Sequence, residues 1–294
     1  MKNKNTQVPP AEVKRRSMFG EAMRRLLQNH MAMGGLIILV AVILLCLLAG
    51  IICPEGYDAQ NIAERFIKPC VRYPLGTDPL GRSLLARVLY GGRISLLIGF
   101  VATIIAAFGG ISLGAIAAYY GGIVDDVIMR VLDIFSAIPS LLMAIVITAS
   151  MGSGLFNCML AVGISSVPNF ARMVRGPILS IMDQEFIEAA RLIDATDRRI
   201  ILKHVIPNVL SPIIVQMTMN LASSILLAAS LSFLGLGVQA PMPEWGALLS
   251  EARQYIAQYP YLVTIPGLAI ASVVLSTNLF GDGLRDSLDP RLKN

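Results

Sequence analysis

The sequence predicts an all-α polytopic membrane protein with six transmembrane helices, and three observations predict it. Of the 294 residues, 55% are hydrophobic and only 15% charged, against roughly 25% charged in an average soluble domain. The charges cluster, leaving uncharged runs longer than the roughly 20 residues that a helix needs to cross a hydrocarbon core. Between those runs stand charged segments or glycine, proline and serine groups, which mark chain reversals. Lipid offers the backbone no hydrogen-bond partner, so each such run is expected to be a helix.

The elements follow in order. Residues 1 to 16 are polar and contain "VPP" and "KRR", a composition expected to have little order. In "SMFGEAMRRLLQNH" the apolar Met18, Phe19, Met23, Leu26 and Leu27 share one helical face, while Glu21, Arg24 and Arg25 share another. That pattern fits a short helix lying on a membrane surface, or equally an extension of the first span. Met31 to Cys53 is the first uncharged run, of 23 residues. It is about twice as long as a secretory h-region and ends without a small-residue cleavage site, so it reads as a retained anchor. Residues 54 to 90 form a long polar loop. Ile94 to Ala118 is the second span, with small residues four apart at Ala106, Gly110, Gly114, Ala118 and Gly122, a stripe that admits a neighbouring helix backbone. Residues 134 to 171 are uncharged throughout and are interrupted by the break "MGSG" at 151 to 154, which divides them into spans three and four. Val209 to Val238 and Tyr259 to Phe280 are spans five and six. Pro139, Pro168, Pro212 and Pro266 lie inside or beside the later spans, where each removes a backbone hydrogen bond and bends its helix; proline is also simply common in membrane helices.

Lys and Arg placement gives the orientation. With the N-terminus cytoplasmic, the inner segments hold more than twice as many basic residues as the outer ones, although the outer loop 54 to 93 is itself basic. Both termini are then cytoplasmic. A sequence pI near 9.1 suggests nucleic acid, but the basic residues sit beside spans, where anionic lipid is the expected partner. Asp133 is the one acid well inside a predicted span boundary, and a bare carboxylate in lipid is costly. A helical charge ladder Asp126, Arg130, Asp133 is expected to neutralise it.

Several chemistries are excluded. The two histidines, His30 and His204, are far apart and no HExxH occurs, so neither a metal site nor a zinc protease is expected. The four cysteines, Cys46, Cys53, Cys70 and Cys158, show no CxxC spacing; a Cys53–Cys70 disulfide is conceivable. There is no Walker-type phosphate loop, so an ATPase that drives this chain must be another chain. A proton-driven secondary transporter, the alternative class, would want ionisable groups near mid-span, and only Asp133 offers itself.

One island breaks the apolar pattern: "EAARLIDATDRRIILKHVIPN", residues 188 to 208. Glu185 to Ile193 has good helix formers with acids early and Arg191 late, matching the helix dipole. Asp194 to Thr196 interrupts, Thr196 is placed to cap a second helix, and that helix is expected to stop before Pro207. The result is a compact knuckle between spans four and five, apolar toward its own protein and charged outward.

Here the sequence resembles a family. Glu188, Ala189 and Ala190, followed by Ile201, His204, Ile206, Pro207 and Asn208, look like the "EAA" loop of bacterial ABC-importer permeases, with Asp194 at the family's glycine position. "YPLGTDPLGRSLLARVLYGGRISLLIGF" (73 to 100) resembles the segment into span two of the peptide and nickel importer permeases, with Ser83 and Ala86 departing from it. "YYGGIVDDVIMRVLDIFSAIPSLLMAIVI" (119 to 147), "LSFLGLGVQAPMPEWGALLSEA" (231 to 252) and "GDGLRDSLDPRLKN" (281 to 294) are similar to further segments, in order.

The resemblance implies a type I ABC-importer permease core over residues 91 to 282, after an N-terminal anchor helix at 31 to 53 and before a cytoplasmic tail at 283 to 294. It implies the C-type subunit of a dipeptide or oligopeptide importer of the bacterial cytoplasmic membrane, with a nickel importer as the alternative. The partners implied are a second homologous permease, two cytoplasmic ATP-binding subunits that use ATP and Mg, and an extracytoplasmic substrate-binding protein; no cofactor is bound by this chain. The coupling loop would be 185 to 208, with Glu188, Ala189, Ala190, Arg191, Asp194, His204 and Pro207 acting on the ATPase. Pro243, Glu244, Trp245 and Gly246 are candidates for a binding-protein contact or a gate; as the only tryptophan, Trp245 equally suits anchoring at a membrane interface.

Overall fold

The structure, a computed structural model, describes residues 18–288. The tail expected at 1 to 16 and residues 289 to 294 lie outside the described residues, as do the side chains of Met18, Phe19 and Glu21 in the first amphipathic stretch. In chain order the helices are α1 (Met18–Gln28), α2 (His30–Leu47), α3 (Ala49–Ile52), α4 (Leu84–Tyr120), α5 (Gly122–Ser136), α6 (Ser140–Met151), α7 (Leu155–Met182), α8 (Glu185–Leu192), α9 (Asp197–Ile200), α10 (Ile206–Asn208), α11 (Leu210–Phe233), α12 (Trp245–Ala252) and α13 (Tyr261–Leu288). Among the described residues no strand forms, only an isolated bridge between Thr77 and Ser83.

The all-helical expectation holds; the span count is coarser. Four helices, α2, α4, α11 and α13, are long and apolar enough to cross a membrane, and a fifth span results if α5 and α6 are one. Those two meet at 85°, because the break at Ala137–Pro139 places a proline without an N–H at the start of α6 and biases Ile138 away from the helical region. Alone, the 12 residues of α6 span only about 18 Å. The expected turn at 151 to 154 is present, with Gly152 at φ +88° and Gly154 at φ +146°, conformations that favour glycine. α4 begins at Leu84 rather than near Ile94, so the loop expected over 54 to 90 is shorter, and α13 continues past Phe280 to Leu288.

α4, a 37-residue helix, is the spine. It packs most extensively on α7, and its small-residue stripe is the reason. A Cβ on Gly110 would lie 2.6 Å from Phe170 Cβ, and one on Gly114 2.6 Å from the Ala171 carbonyl oxygen. The stripe therefore serves a neighbour within this chain. Gly122 is not part of it; with Gly121 (φ +62°) it takes positive φ (+51°) and turns the chain into α5. The N-terminal helix α2 lies along α13 in a similar way, since a Cβ on Gly35 would meet the Ser276 carbonyl oxygen at 2.6 Å.

The end of the bundle away from residues 185 to 208 is closed by a polar staple. Asp78 Oδ1 accepts from the Leu80 and Arg82 amides, both at 2.9 Å. Asp78 Oδ2 receives Arg82 Nε at 2.6 Å and Arg87 Nη1 at 2.9 Å. The two guanidiniums reach on to Glu251 of α12, Arg82 Nη2 at 3.0 Å and Arg87 Nη1 at 2.6 Å. Asp78, Arg82 and Arg87 are all buried, which explains why α4 tolerates Arg87 beyond the uncharged run. Arg93 is stabilised differently: its Nε and Nη2 donate to the Cys46 and Leu47 carbonyls at 2.7 and 2.8 Å, capping α2, and its guanidinium lies 4.8 Å over the Tyr90 ring. In the loop before α4, Tyr73 donates to Glu64 at 2.5 Å and thereby holds its carboxyl below the usual carboxylate range. Cys53 and Cys70 are free thiols, not a disulfide.

Gly114→Val is expected to force α4 and α7 apart and to lower the melting temperature of the purified protein by several degrees, overpacking costing about 1–3 kcal/mol. Gly176→Ala, on an exposed face of α7 where an added Cβ meets nothing within 4 Å, should leave it unchanged or raise it slightly.

Candidate functional site

The charged island folds as the knuckle expected of it, with a differently built second half. α8 forms over residues that carry Glu185 and Glu188 in its first turn and Arg191 in its last. It ends in a paired backbone closure: the Ala195 amide donates to the Ala190 carbonyl at 3.2 Å and the Asp194 amide to the Arg191 carbonyl at 3.1 Å. That closure requires a left-handed residue at the position of Asp194, and Asp194 has φ +53°. The aspartate thus takes the backbone role expected of a glycine there, in a region that Asp and Asn tolerate better than other side chains.

Two expectations for the second half are corrected. Thr196 precedes α9, but its hydroxyl makes no capping hydrogen bond. The helix does not stop before Pro207 either; Ile201–Val205 widens into a π turn and α10 continues through Asn208. Proline lacks the N–H that a regular helix needs, and the wide turn places it at the start of a new helical stretch where none is required.

One face of the knuckle is buried and the other open. Ile187, Ala190, Ile200, Val205 and Val209 pack with Phe170, Val174 and Ile178 of α7 and with Ala115 and Ala118 of α4. Polar contacts add to this. Tyr119 and Tyr120, the last residues of α4, donate to Asp197 Oδ1 and Oδ2 at 2.7 and 3.1 Å, and the Arg191 guanidinium lies 5.6 Å over the Tyr119 ring. Asp197, Tyr119 and Tyr120 are the residues that sequence reasoning missed. A tyrosine pair at a helix end was the available signal, but its partner lies 77 and 78 positions away.

The open face carries Glu188, Ala189, Arg191, Asp194, Arg198, Arg199 and Lys203. Leu192 is 85% and Ile193 76% exposed at its tip. Of the residues singled out, Glu188, Ala189, Arg191, Asp194 and Pro207 are therefore outward, His204 is half-buried, and Ala190 points into the core. Apolar tips set among charges of both signs are suited to burial against a complementary surface.

The other two predicted groups are rearranged. The ladder Asp126, Arg130, Asp133 does not form: Asp133 pairs with Arg172 at 3.8 Å, and neighbouring Asp125 is gripped by Arg175. α5 turns across α7 after the glycine pair, so its acids meet arginines of α7 rather than one another. Asp133 is exposed as well. Pro243, Glu244, Trp245 and Gly246 are all buried, which corrects their reading as a contact surface or interfacial anchor. The Trp245 indole donates to the Val88 carbonyl at 2.9 Å. Glu244 caps α12, accepting from the Ala247 amide at 2.9 Å and from the Ser95 hydroxyl at 2.8 Å. Among the described residues no group of three His, Cys, Asp or Glu could hold a metal.

Several long apolar helices joined by a two-faced charged knuckle define a polytopic membrane protein with one exposed charged segment between its helices. The chain belongs to the family of binding-protein-dependent transport system inner membrane components, whose model matches residues 110–294; residues 17–69 match the N-terminal transmembrane domain of oligopeptide transport permease C. It is 44% identical over 290 residues, 99% of this chain and 95% of the other, to the dipeptide transport system permease protein DppC of Alkalihalophilus pseudofirmus. It is 45% identical over 97% of its length, and 94% of the other's, to the glutathione transport system permease protein GsiD of Escherichia coli O6:K15:H31. Among solved structures, the inward-facing MetNI methionine ABC transporter is similar with a TM-score of 0.57 and 19% identity, over 69% of this chain and 96% of that one, a likeness of fold.

Two substitutions test the knuckle. Asp194→Gly should preserve or raise stability, whereas Asp194→Ile should lower it by about 1–2 kcal/mol, the cost of a bulky side chain in the left-handed region; thermal unfolding of the purified protein measures both. Asp197→Ala should release the knuckle from α4, seen as faster amide hydrogen exchange across residues 185 to 208 with little change in α2 and α13.

Proposed function

We propose that the chain is the permease subunit of an ATP-driven importer that carries peptides across the bacterial cytoplasmic membrane by alternating access. The observation that carries the cargo is the end-to-end likeness to a dipeptide permease at 44% identity. On this reading six helices span: α2 as an N-terminal anchor, then α4, α5 with α6, α7, α11 and α13, the last five forming the permease domain over 91 to 282. Both termini and the knuckle face the cytoplasm. The chain pairs with a second, related permease, stands on two ATP-binding subunits, and receives substrate from an extracytoplasmic binding protein. ATP and Mg belong to the partner subunits.

Residues 185 to 208 are the coupling element in this reading. Leu192 and Ile193 would enter an apolar recess of the ATPase while Glu188 and Arg191 meet charges at its rim, an arrangement that gives register and specificity. The buried side of the knuckle transmits the movement. Ile187 and Ala190 bear on α7 and α4 together, so closure of the ATPases would tilt these two helices as a unit. Such a push shifts the balance of inward and outward states only through contacts that differ between them. Asp194 and His204 are assigned backbone and packing roles here, and Pro207 the start of the last short helix.

Glu188→Arg tests the docking. In the reconstituted importer it is expected to reduce ATP-dependent peptide uptake at least about tenfold, since a like-charge juxtaposition at an interface costs several kcal/mol. Unchanged uptake at unchanged permease abundance would refute the role of the knuckle.

A further inference from the structure

A hollow of about 500 Å³ opens between α6, α7 and α11, within the size range of small-ligand sites, roughly 300–1,000 Å³. Its lining is unusual for the interior of apolar helices. α11 presents Gln216, Ser223 and Ser230 to it, and α7 presents Ser166 and Asn169. None of the lining residues is charged. Ser166, Ser223 and Ser230 each donate back to a carbonyl of the preceding turn, which leaves their oxygens free as acceptors. The Gln216 and Asn169 amides make no hydrogen bond among the described residues. Asn169 is exposed and Gln216 half-buried, so both amides stand open to an occupant of the hollow, each with a donor and an acceptor to offer.

A second hollow, of about 520 Å³, continues from the first. The two share Leu141, Leu226 and Ser230. The second is apolar and extends past Phe233 and Leu234 to Leu249 of α12, at the end of the bundle away from the knuckle. Together they form one trough along α11, apolar at one end and lined by amides and hydroxyls toward the other.

We propose that this trough is this chain's wall of the substrate path, and that Gln216 and Asn169 bind the peptide backbone of the cargo. The proposal rests on the reading of the chain as a peptide-importer permease. A primary amide offers a donor and an acceptor together, the complement of the N–H and C=O of a peptide bond. A wall without charge reads the element that all peptides share and is indifferent to the charge of their side chains. Neither imidazole nor carboxylate lines either hollow, so the wall is ill suited to a transition-metal cation.

The test uses the complete reconstituted importer with its binding protein at saturation, and acidic, neutral and basic dipeptides as probes. Gln216→Leu and Asn169→Leu should each lower the maximum import rate about five- to tenfold, the loss of one hydrogen bond, and by a similar factor for all three probes. Gln216→Asn should recover part of the rate. A rate that does not fall, or falls for one charge class alone, overturns the proposal. A second measurement guards against misfolding: with Cys70→Ser to remove the exposed thiol, Ser223→Cys should react with a membrane-impermeant thiol reagent, and a saturating dipeptide should slow that reaction. A thiol that never reacts would place the trough in a dry seam against the second permease and overturn the proposal. If the unmodified importer carries no dipeptide at all, the peptide-importer reading itself fails, a result distinct from either of these.

Discussion

The contact between α4 and α7 at Gly110 and Gly114 is the constraint on which the rest of the molecule depends. Helices in lipid gain little from burying apolar surface against one another, since the tails around them are equally apolar; close packing has to supply the attraction. A helix pair that meets backbone to side chain at glycine does this, and here it brings Phe170 and Ala171 onto the stripe. The consequence appears at the knuckle. α7 leads into α8 after two residues, and α4 ends in the two tyrosines that hold Asp197. The knuckle is thus attached to both members of the pair, by an apolar cluster beneath it and by hydrogen bonds beside it.

Charge is disposed of differently at the two ends. Near the knuckle the ion pairs Asp133–Arg172 and Asp125–Arg175 are partly exposed, and exposed pairs contribute little, about 0–1 kcal/mol. At the other end Asp78, Arg82 and Arg87 are buried with Glu251 at their edge. Buried ion pairs are weak evidence of stability, because desolvation offsets their attraction, but removal of one partner leaves a stranded charge at a cost of about 3–5 kcal/mol. Their effect is geometric: the loop before α4 and the short helix α12 can close only in one register. Glu244 works alongside without a cation, its carboxylate held by a serine hydroxyl, a backbone amide and the positive end of α12.

Much of this was legible in the residues. Uncharged runs located the long helices, the glycines at 152 and 154 located a reversal, and the helix–break–helix of the knuckle followed from local patterns of a few residues, while the special place of Asp194 came from the family resemblance. What escaped shares one physical cause, which is partnership at a distance. The start of α4 at Leu84 was hidden because Arg87 and Arg93 lie ahead of the uncharged run at Ile94, and the carboxylate that neutralises Arg87, Glu251, is 164 positions away. Trp245 looked interfacial because its acceptor, the Val88 carbonyl, is 157 positions away. The ladder Asp126, Arg130, Asp133 satisfied the helical spacing rule, yet the crossing of α5 over α7 put Arg172 beside Asp133 instead. The 85° bend at Pro139 was legible in place but not in size, since a proline permits a bend and packing sets its angle.

α11 shows how a single helix can hold polar groups at depth by two different means. Asn220 donates to Thr103 of α4 at 3.4 Å and to Ser224 at 3.2 Å; it is buried, and its amide is spent inside the protein. Asn220 also borders the trough, together with Ser223, Ser230 and Gln216 one turn away, but the Gln216 amide makes no hydrogen bond among the described residues. Four residues apart, one amide is satisfied by α4 and the other is left open; on the proposed reading the first fastens the bundle and the second is kept for the cargo.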